Sequence, residues 1–312
     1  MSLIIARQIA GEIYIVGDTK SSVIESKGWP SVRQYLGCLK VILLSPGLCV
    51  GFAGNIEIAR NAIQGIYDKD VNLFDKNLAI EYFLEHHKAS IDREDTTDFI
   101  IASIIEKRDQ LGMFEKELFR IADSNVYWEN TTTHIGDIDA FHKFQKVSHG
   151  ITRVTPIPTF EISKLGNKER PDFDRSLTTA MNAMQHVIDD INIPSVDGIR
   201  TVVISEEDQF RYVEYVQLKG NPIPVRNEPG SPLTFGGAAE GSDHKHVGLL
   251  SSVGHGIFPV YSITGKFGVI YQPEVCFEPQ IESNCTLDDF CIKVENRKKI
   301  AHQRALEYQS RY

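Results

Sequence analysis

Two apolar runs, Val41-Ile42-Leu43-Leu44 and Leu48-Cys49-Val50-Gly51-Phe52-Ala53-Gly54, flank the turn Ser45-Pro46-Gly47 and constrain this chain more than any other stretch. They read as a β-hairpin. Neither strand alternates polar with apolar residues, so both faces of the hairpin need cover. Asn55 can cap the helix that follows, in which Ile56, Ile58, Ala59, Ala62, Ile63 and Ile66 fall mostly three or four residues apart. That helix covers one face of the sheet, and a second layer must cover the other.

The rest of the chain arrives in blocks. Residues 3–8 and 13–18 form an N-terminal hairpin around a glycine turn, and residues 21–39 read as a short strand and a loop. A second helix spans 77–90, with His86 and His87 near its C-terminal end, where they suit the macrodipole and read as solvated. Strands are expected at 98–105, 116–123, 126–128 and 133–137. After them come a helix of about ten residues from Ile138, a loop with Pro156 and Pro158, a long helix over 175–190, and strands at 200–205 and 209–218. Strand and helix do not alternate singly, which disfavours a doubly wound parallel sheet. The expected class is α+β, with two stacked, mostly antiparallel sheets and helices on both outer faces. Glycine and proline concentrate between Gly220 and Gly241, which divides the chain into 1–218 and a C-terminal extension, 219–312. In the extension, strands are expected at 246–253, 256–264 and 267–271, and a helix capped by Thr286 over 287–309.

Composition excludes some partners. The chain has 33 Lys plus Arg against 42 Asp plus Glu, a net charge of -9, so no general basic field draws it to nucleic acid. The five cysteines, Cys38, Cys49, Cys276, Cys285 and Cys291, lack the short paired spacings of zinc or redox sites. No apolar run is long enough for a membrane span, and the first residues lack a signal peptide's pattern, so the expected location is the cytoplasm.

The first candidate for chemistry is Ser2. Once Met1 is removed, a terminal serine carries its own base, an α-amine with a reference pKa of about 7.7–8.0. Such a nucleophile needs a cation to keep the amine neutral, a carboxylate to orient that cation, and a backbone N–H for the oxyanion. Lys40, Asp18 and Gly51 sit in suitable surroundings for those roles. Each also has a structural reading: an edge lysine, a turn residue, a packing glycine.

Taken together, Ser2-Leu3-Ile4-Ile5-Ala6, Ile15-Val16-Gly17-Asp18, Lys40-Val41 and Val50-Gly51-Phe52-Ala53-Gly54 resemble the catalytic β-subunits of proteasomes. They are more similar still to the simpler bacterial peptidases of that family, in which Thr or Ser directly follows Met1. The resemblance covers residues 1 to about 218. It implies the αββα fold of N-terminal nucleophile hydrolases, Ser2 as nucleophile, Asp18 and Lys40 as its charged support, Gly51 as oxyanion donor, and no cofactor. It also implies hydrolysis of a polypeptide or a small amide, and a homo-oligomer of the ring type with an ATP-dependent unfoldase as partner. Ile135-Gly136-Asp137 stands where the family has Ile-Gly-Ser, and Asn192-Ile193-Pro194-Ser195 where it has Asp-x-x-Ser, which adds Asp137, Asn192 and Ser195 to the implied site. A carboxylate at 137 would raise the amine's pKa, and Asn192 adds no charge; Asp190 is the alternative two positions earlier. These departures keep open a catalytically inactive scaffold or sensor. Elsewhere, Asp243-His244-Lys245-His246 with His255 reads as a polar loop before it reads as a metal site. Arg297-Lys298-Lys299 reads as a solvated helix face.

Overall fold

The computed structural model of the chain describes residues 2–20, 37–68, 75–92, 95–107, 112–150, 159–161, 170–190, 192–213, 215–218, 247–250, 256–262 and 266–309. β1 (Leu3–Ile9) and β2 (Glu12–Gly17) form an antiparallel hairpin whose turn residues Ala10 and Gly11 both have positive φ, as a tight hairpin turn requires. β3 (Val41–Ser45) and β4 (Leu48–Gly54) form the buried hairpin, followed by helices α1 (Ile56–Asp68) and α2 (Lys76–Ile91). Next come β5 (Thr97–Glu106), β6 (Phe114–Ala122), β7 (Asn125–Glu129), β8 (Thr132–Gly136), α3 (Ile138–Ser148), the short β9 (Thr159–Glu161) and α4 (Pro171–Ile188). The remainder is β10 (Thr201–Ser205), β11 (Phe210–Tyr212), β12 (Tyr215–Leu218), β13 (Val247–Leu250), β14 (Phe258–Ser262), β15 (Phe267–Gln272), β16 (Cys276–Glu282) and α5 (Leu287–Gln309).

Two antiparallel sheets, ordered β11-β10-β2-β1-β8 and β3-β4-β5-β6-β7, pack face to face. Helices α1 and α2 cover the outer face of the second, while α3 and α4 cover that of the first. This is the expected four-layer αββα sandwich. Two glycines show how closely the sheets meet: a Cβ built on Gly17 would lie 2.9 Å from Val41 Cγ2 of the second sheet and 2.6 Å from Cδ1 of its own neighbour Ile4, and one built on Gly51 3.0 Å from Ile4 Cγ2. Larger residues at either position would push Ile4 out of its slot. On α4, Phe173, Leu177, Ala180, Met181, Met184 and Ile188 are buried at helical spacing, and each large side chain among them adds about 1.5–3 kcal/mol of apolar burial.

Caps decide the helix starts. Asn55 accepts the N–H groups of Glu57 and Ile58, Asp75 those of Asn77 and Leu78, and Thr286 that of Asp289. The long helix starts at Pro171 rather than 175, because a proline in the first turn sacrifices only an N–H that no helix would use. The expected short strand within 21–39 falls largely outside the described residues.

The third sheet, ordered β16-β15-β14-β13-β12-β9, changes the picture of the extension. It takes β9 and β12 from before residue 219, so the division at 218 runs through a sheet. The expected strand at 209–218 is really two: β11 closes the first sheet and β12 opens the third. Phe258, Val260, Val269, Tyr271 and Phe277 join the main core, whereas Ile257, Tyr261 and Ile270 form a smaller core with Phe290 and Val294 of α5. Strand β16 was not expected, since Pro279 argues against one; at the sheet's edge the missing N–H is tolerated. Arg297 and Lys298 are also not merely solvated. Arg297 bonds Gln280 and Glu282 of β16, and Lys298 is buried with its ammonium 2.9 Å from Glu295.

His87 corrects another expectation. It is fully buried, its Nε2 accepts the Ser124 N–H at 3.0 Å, and its Nδ1 lies 2.8 Å from the Thr97 carbonyl. Only the neutral ring with hydrogen on Nδ1 satisfies both. The ring thus pins the end of α2 to β5 and to the β6–β7 turn. His87→Ala should cost about 2–4 kcal/mol in urea denaturation, combining a cavity with two orphaned backbone groups. His86→Ala, at a half-buried position, should cost less, and equal losses would contradict the pinning role.

Candidate active site

Asp18 follows the last residue of β2 and is fully buried. Its Oδ1 accepts the Leu3 N–H at 3.1 Å; its Oδ2 accepts the Lys20 N–H at 3.0 Å and the Lys40 ammonium at 2.8 Å. Both members of the Asp18–Lys40 pair are 0% exposed. Two charges survive at such depth only when paired and hydrogen-bonded, and here the carboxylate also orders the start of β1. Lys40 directly precedes β3, and its carbonyl takes the Phe52 N–H at 3.1 Å, fixing it to β4.

Ser2 leads into β1 and is 4% exposed. Strand alternation puts it on the face of Ile4, toward the second sheet. Its carbonyl accepts the Asp137 N–H at 2.8 Å. The approach of β8 depends on Gly136, at φ 102: a Cβ there would overlap the Ser2 carbonyl and lie 3.2 Å from the Ala53 Cβ. The starts of β1 and β3 and the ends of β2, β4 and β8 therefore converge at one corner of the sandwich.

Gly51 lies in the middle of β4. It pairs with Val41 on one side and Ile100 on the other. Because the Phe52 N–H points to Lys40, alternation turns the Gly51 and Ala53 N–H groups toward β5, into the ladder. By the same alternation the Gly54 N–H points with that of Phe52, toward the start of β3. Gly54 has φ 125, and a Cβ there would overlap the Thr96 carbonyl.

Asp137 caps α3, accepting the N–H groups of Asp139 at 2.9 Å and Ala140 at 3.0 Å. Partial burial pushes its carboxyl up. The Ser195 hydroxyl and those two N–H groups outweigh burial and hold it below the ordinary 3.8. The Ser195 Oγ is buried and faces this carboxylate without closing a hydrogen bond of standard length. Asn192 is exposed, and its backbone and amide both donate to Asp190, which in turn pairs with Lys143 at 3.1 Å. The structure thus brings Ser2, Asp18, Lys40, Asp137 and Ser195 into one neighbourhood, sets Gly51 beneath Ile4, and turns Asn192 toward Asp190.

Among the described residues, no group of His, Cys, Asp and Glu could hold a metal ion, and no helix is long and apolar enough to cross a membrane. Asp243, His244, Lys245, His246 and His255 lie outside the described residues. All five cysteines are free, and burial pushes the Cys38 thiol up to about 12.

The layered architecture is a four-layer sandwich of two antiparallel sheets between helices. No protein-family model and no curated protein matches the sequence. Among solved structures, the chain is similar to eukaryotic HslV from Trypanosoma brucei, at 14% identity and a TM-score of 0.40 over 65% of this chain and 98% of that one. It is also similar to the Gly-1 mutant of Anbu from Hyphomicrobium sp. strain MC1, at 13% identity and a TM-score of 0.44 over 69% of this chain and 86% of that one.

Two measurements check this geometry. Lys40→Met leaves the buried Asp18 uncompensated and should cost about 3–5 kcal/mol in urea denaturation. Adding Asp18→Asn should recover part of that loss, and a double variant as unstable as the sum of the singles would deny the coupling. At neutral pH, Asp137→Ala should cost about 1 kcal/mol through the lost cap. Because the folded pKa is depressed, this contribution is present above 3.8 and disappears as pH falls through the lower folded value. A gap between wild type and variant that persists in acid would oppose it.

Proposed function

We propose that the chain is an amide or peptide hydrolase whose nucleophile is Ser2, freed by removal of Met1. The observation that carries this reading is the fully buried Asp18–Lys40 pair bonded to the Leu3 N–H, one residue from the serine. A buried lysine held by a buried aspartate is a costly arrangement for stability alone, and its position beside the first strand suits support of a terminal amine.

In the proposed reaction, the neutral α-amine of Ser2 takes the hydroxyl proton as Oγ bonds to the amide carbon. The carbonyl electrons move onto oxygen. The Gly54 N–H, in place of Gly51, donates to that oxyanion from the same side of β4 as the Lys40 carbonyl's partner, Phe52. The ammonium then protonates the leaving nitrogen as the C–N bond breaks. Water, deprotonated by the same amine, releases the acyl group and restores the serine. Lys40 disfavours protonation of the amine by its charge, and Asp18 orients it. Asp137 works against Lys40, since a nearby carboxylate favours the ammonium. Assembly into a homo-oligomer, delivery by an ATP-dependent unfoldase and a cytoplasmic setting belong to the same proposal.

One second reading has its own support. Asp137 is engaged in capping α3 and Asn192 faces Asp190, as expected of a scaffold or sensor that retains the fold without turnover.

Intact-mass measurement comes first: the proposal expects the chain to lack Met1. On that material, Ser2→Ala should abolish hydrolysis of fluorogenic peptide amides and labelling by an electrophile directed at N-terminal hydroxyls. Sedimentation velocity should show a homo-oligomer. Retained Met1, or turnover unchanged in Ser2→Ala, would overturn the mechanism; absent turnover in wild type that lacks Met1 would favour the scaffold.

A further inference from the structure

A cavity of about 490 Å³ lies on the opposite face of the first sheet from Ser2, under α3 and α4. Arg7 pairs across the sheet with Tyr14 on one side and Thr132 on the other, so the three side chains share one face and all line the cavity. Ser2 and Arg7 differ by an odd number of residues and therefore project to opposite faces of β1. They are also separated by about 17 Å of strand. The cavity is physically distinct from the candidate active site.

Its chemistry is uneven in a useful way. Arg7, Arg175 and His149 line it, opposed by one acid, Asp172. Two arginines less one aspartate leave a local charge of +1 with His149 neutral, in a chain whose net charge is -9. Neither guanidinium enters an ion pair with a carboxylate among the described residues. Tyr14 is 2% exposed, and its hydroxyl lies 3.1 Å from the Ser176 Oγ. Burial pushes the phenol up, against the opposing influence of Ser176 and Arg7, so it remains a neutral hydroxyl beside the arginine. The remaining wall is mixed, with Thr132, Gln145, Ser148 and Thr179 beside aromatic side chains. Phe141 and Phe144 come from α3, and His134 stacks on Phe141 at 3.5 Å between ring centroids, holding that ring in place.

Paired guanidiniums favour planar or tetrahedral oxyanions, which they can grip through two parallel N–H donors. The aromatic wall favours an apolar body, and the volume falls within the range of small-molecule sites, about 300–1,000 Å³. We propose that this cavity is a binding site for a small organic anion, a carboxylate or phosphate monoester on an aromatic body, with Arg7 and Arg175 on the anionic group and Phe141 and Phe144 on the ring. Nothing in the proposal depends on Ser2 or on its activity.

Isothermal titration calorimetry on the full chain tests it, with phenyl phosphate, 3-phenylpropionate and inorganic phosphate as anionic probes and benzyl alcohol as the neutral control. Phenyl phosphate or 3-phenylpropionate should bind saturably with Kd of roughly millimolar or tighter, and whichever binds more tightly identifies the anionic group. Inorganic phosphate and benzyl alcohol should each bind at least about tenfold more weakly, since each satisfies only one half of the site. Arg175→Gln, on an exposed helical position, should weaken the aromatic anion about tenfold while leaving the urea midpoint unchanged. Ala180→Leu should reduce binding by filling the cavity. No saturable binding of either aromatic anion, equal binding of benzyl alcohol, or full affinity in both variants would each overturn the assignment. Because the readout is binding, failure here leaves the hydrolase proposal standing, and a Ser2→Ala chain should bind the anions unchanged.

Discussion

The corner where the nucleophile would sit depends on one ion pair. Asp18 and Lys40 have no solvent to share their charges, so each makes the other's burial tolerable. The carboxylate does more than neutralise the lysine. By accepting from Leu3 and Lys20 it sets where β1 begins and how the chain leaves β2, and the lysine's own carbonyl sets where β4 meets β3. One buried charge pair thus holds together the two sheets at the place where both are ending and ladder bonds become sparse. Its energetic cost is offset by the surrounding core, in which Ile4, Val41, Phe52 and Ile100 are all fully or almost fully buried.

Much of this was legible in the residues because it arises from local chemistry. Alternation and caps located the strands and most helix starts; Asn55, Thr286 and Asp137 each precede a helix that they cap. Asp18, Lys40 and Ser2 were singled out by a family resemblance, and the structure brings them to one corner of the sandwich. What could not be read depends on parity and on distant partners. The direction of each N–H along β4 follows from the bond between Phe52 and Lys40, a partner far from it in sequence. His87 looked like a solvated C-terminal histidine because its partners, Thr97 and Ser124, are far from it in sequence. Asn192 and Asp190 are neighbours whose local hydrogen bonds set where the asparagine points.

The added third sheet is another long-range feature. Its strands β9 and β12 are borrowed from the sequence that also supplies the sandwich, so the extension is not simply appended. Its inner face contributes Phe258 and Tyr271 to the principal core, with the Phe258 ring tilted against Tyr212 at 4.9 Å between centroids and Phe277 6.0 Å from Phe52. Arg60 of α1 reaches Glu278 and lies over the Phe277 ring. Stability of the β4 end and integrity of the C-terminal third are therefore physically linked, through aromatic contacts that a linear reading of domain boundaries does not anticipate.

Strand β1 serves as a partition. Even-numbered positions, from Ser2 through Ile4, look into the space between the sheets, and odd-numbered ones, ending in Arg7, look out beneath the helices. The two compartments have no shared wall other than the backbone itself, and their separate addresses are written only as odd and even. One inserted residue between them, of whatever chemistry, would exchange the compartments for everything on one side of the insertion. Side chains can change within each compartment, but the strand cannot change length without moving Ser2 or Arg7 through the wall.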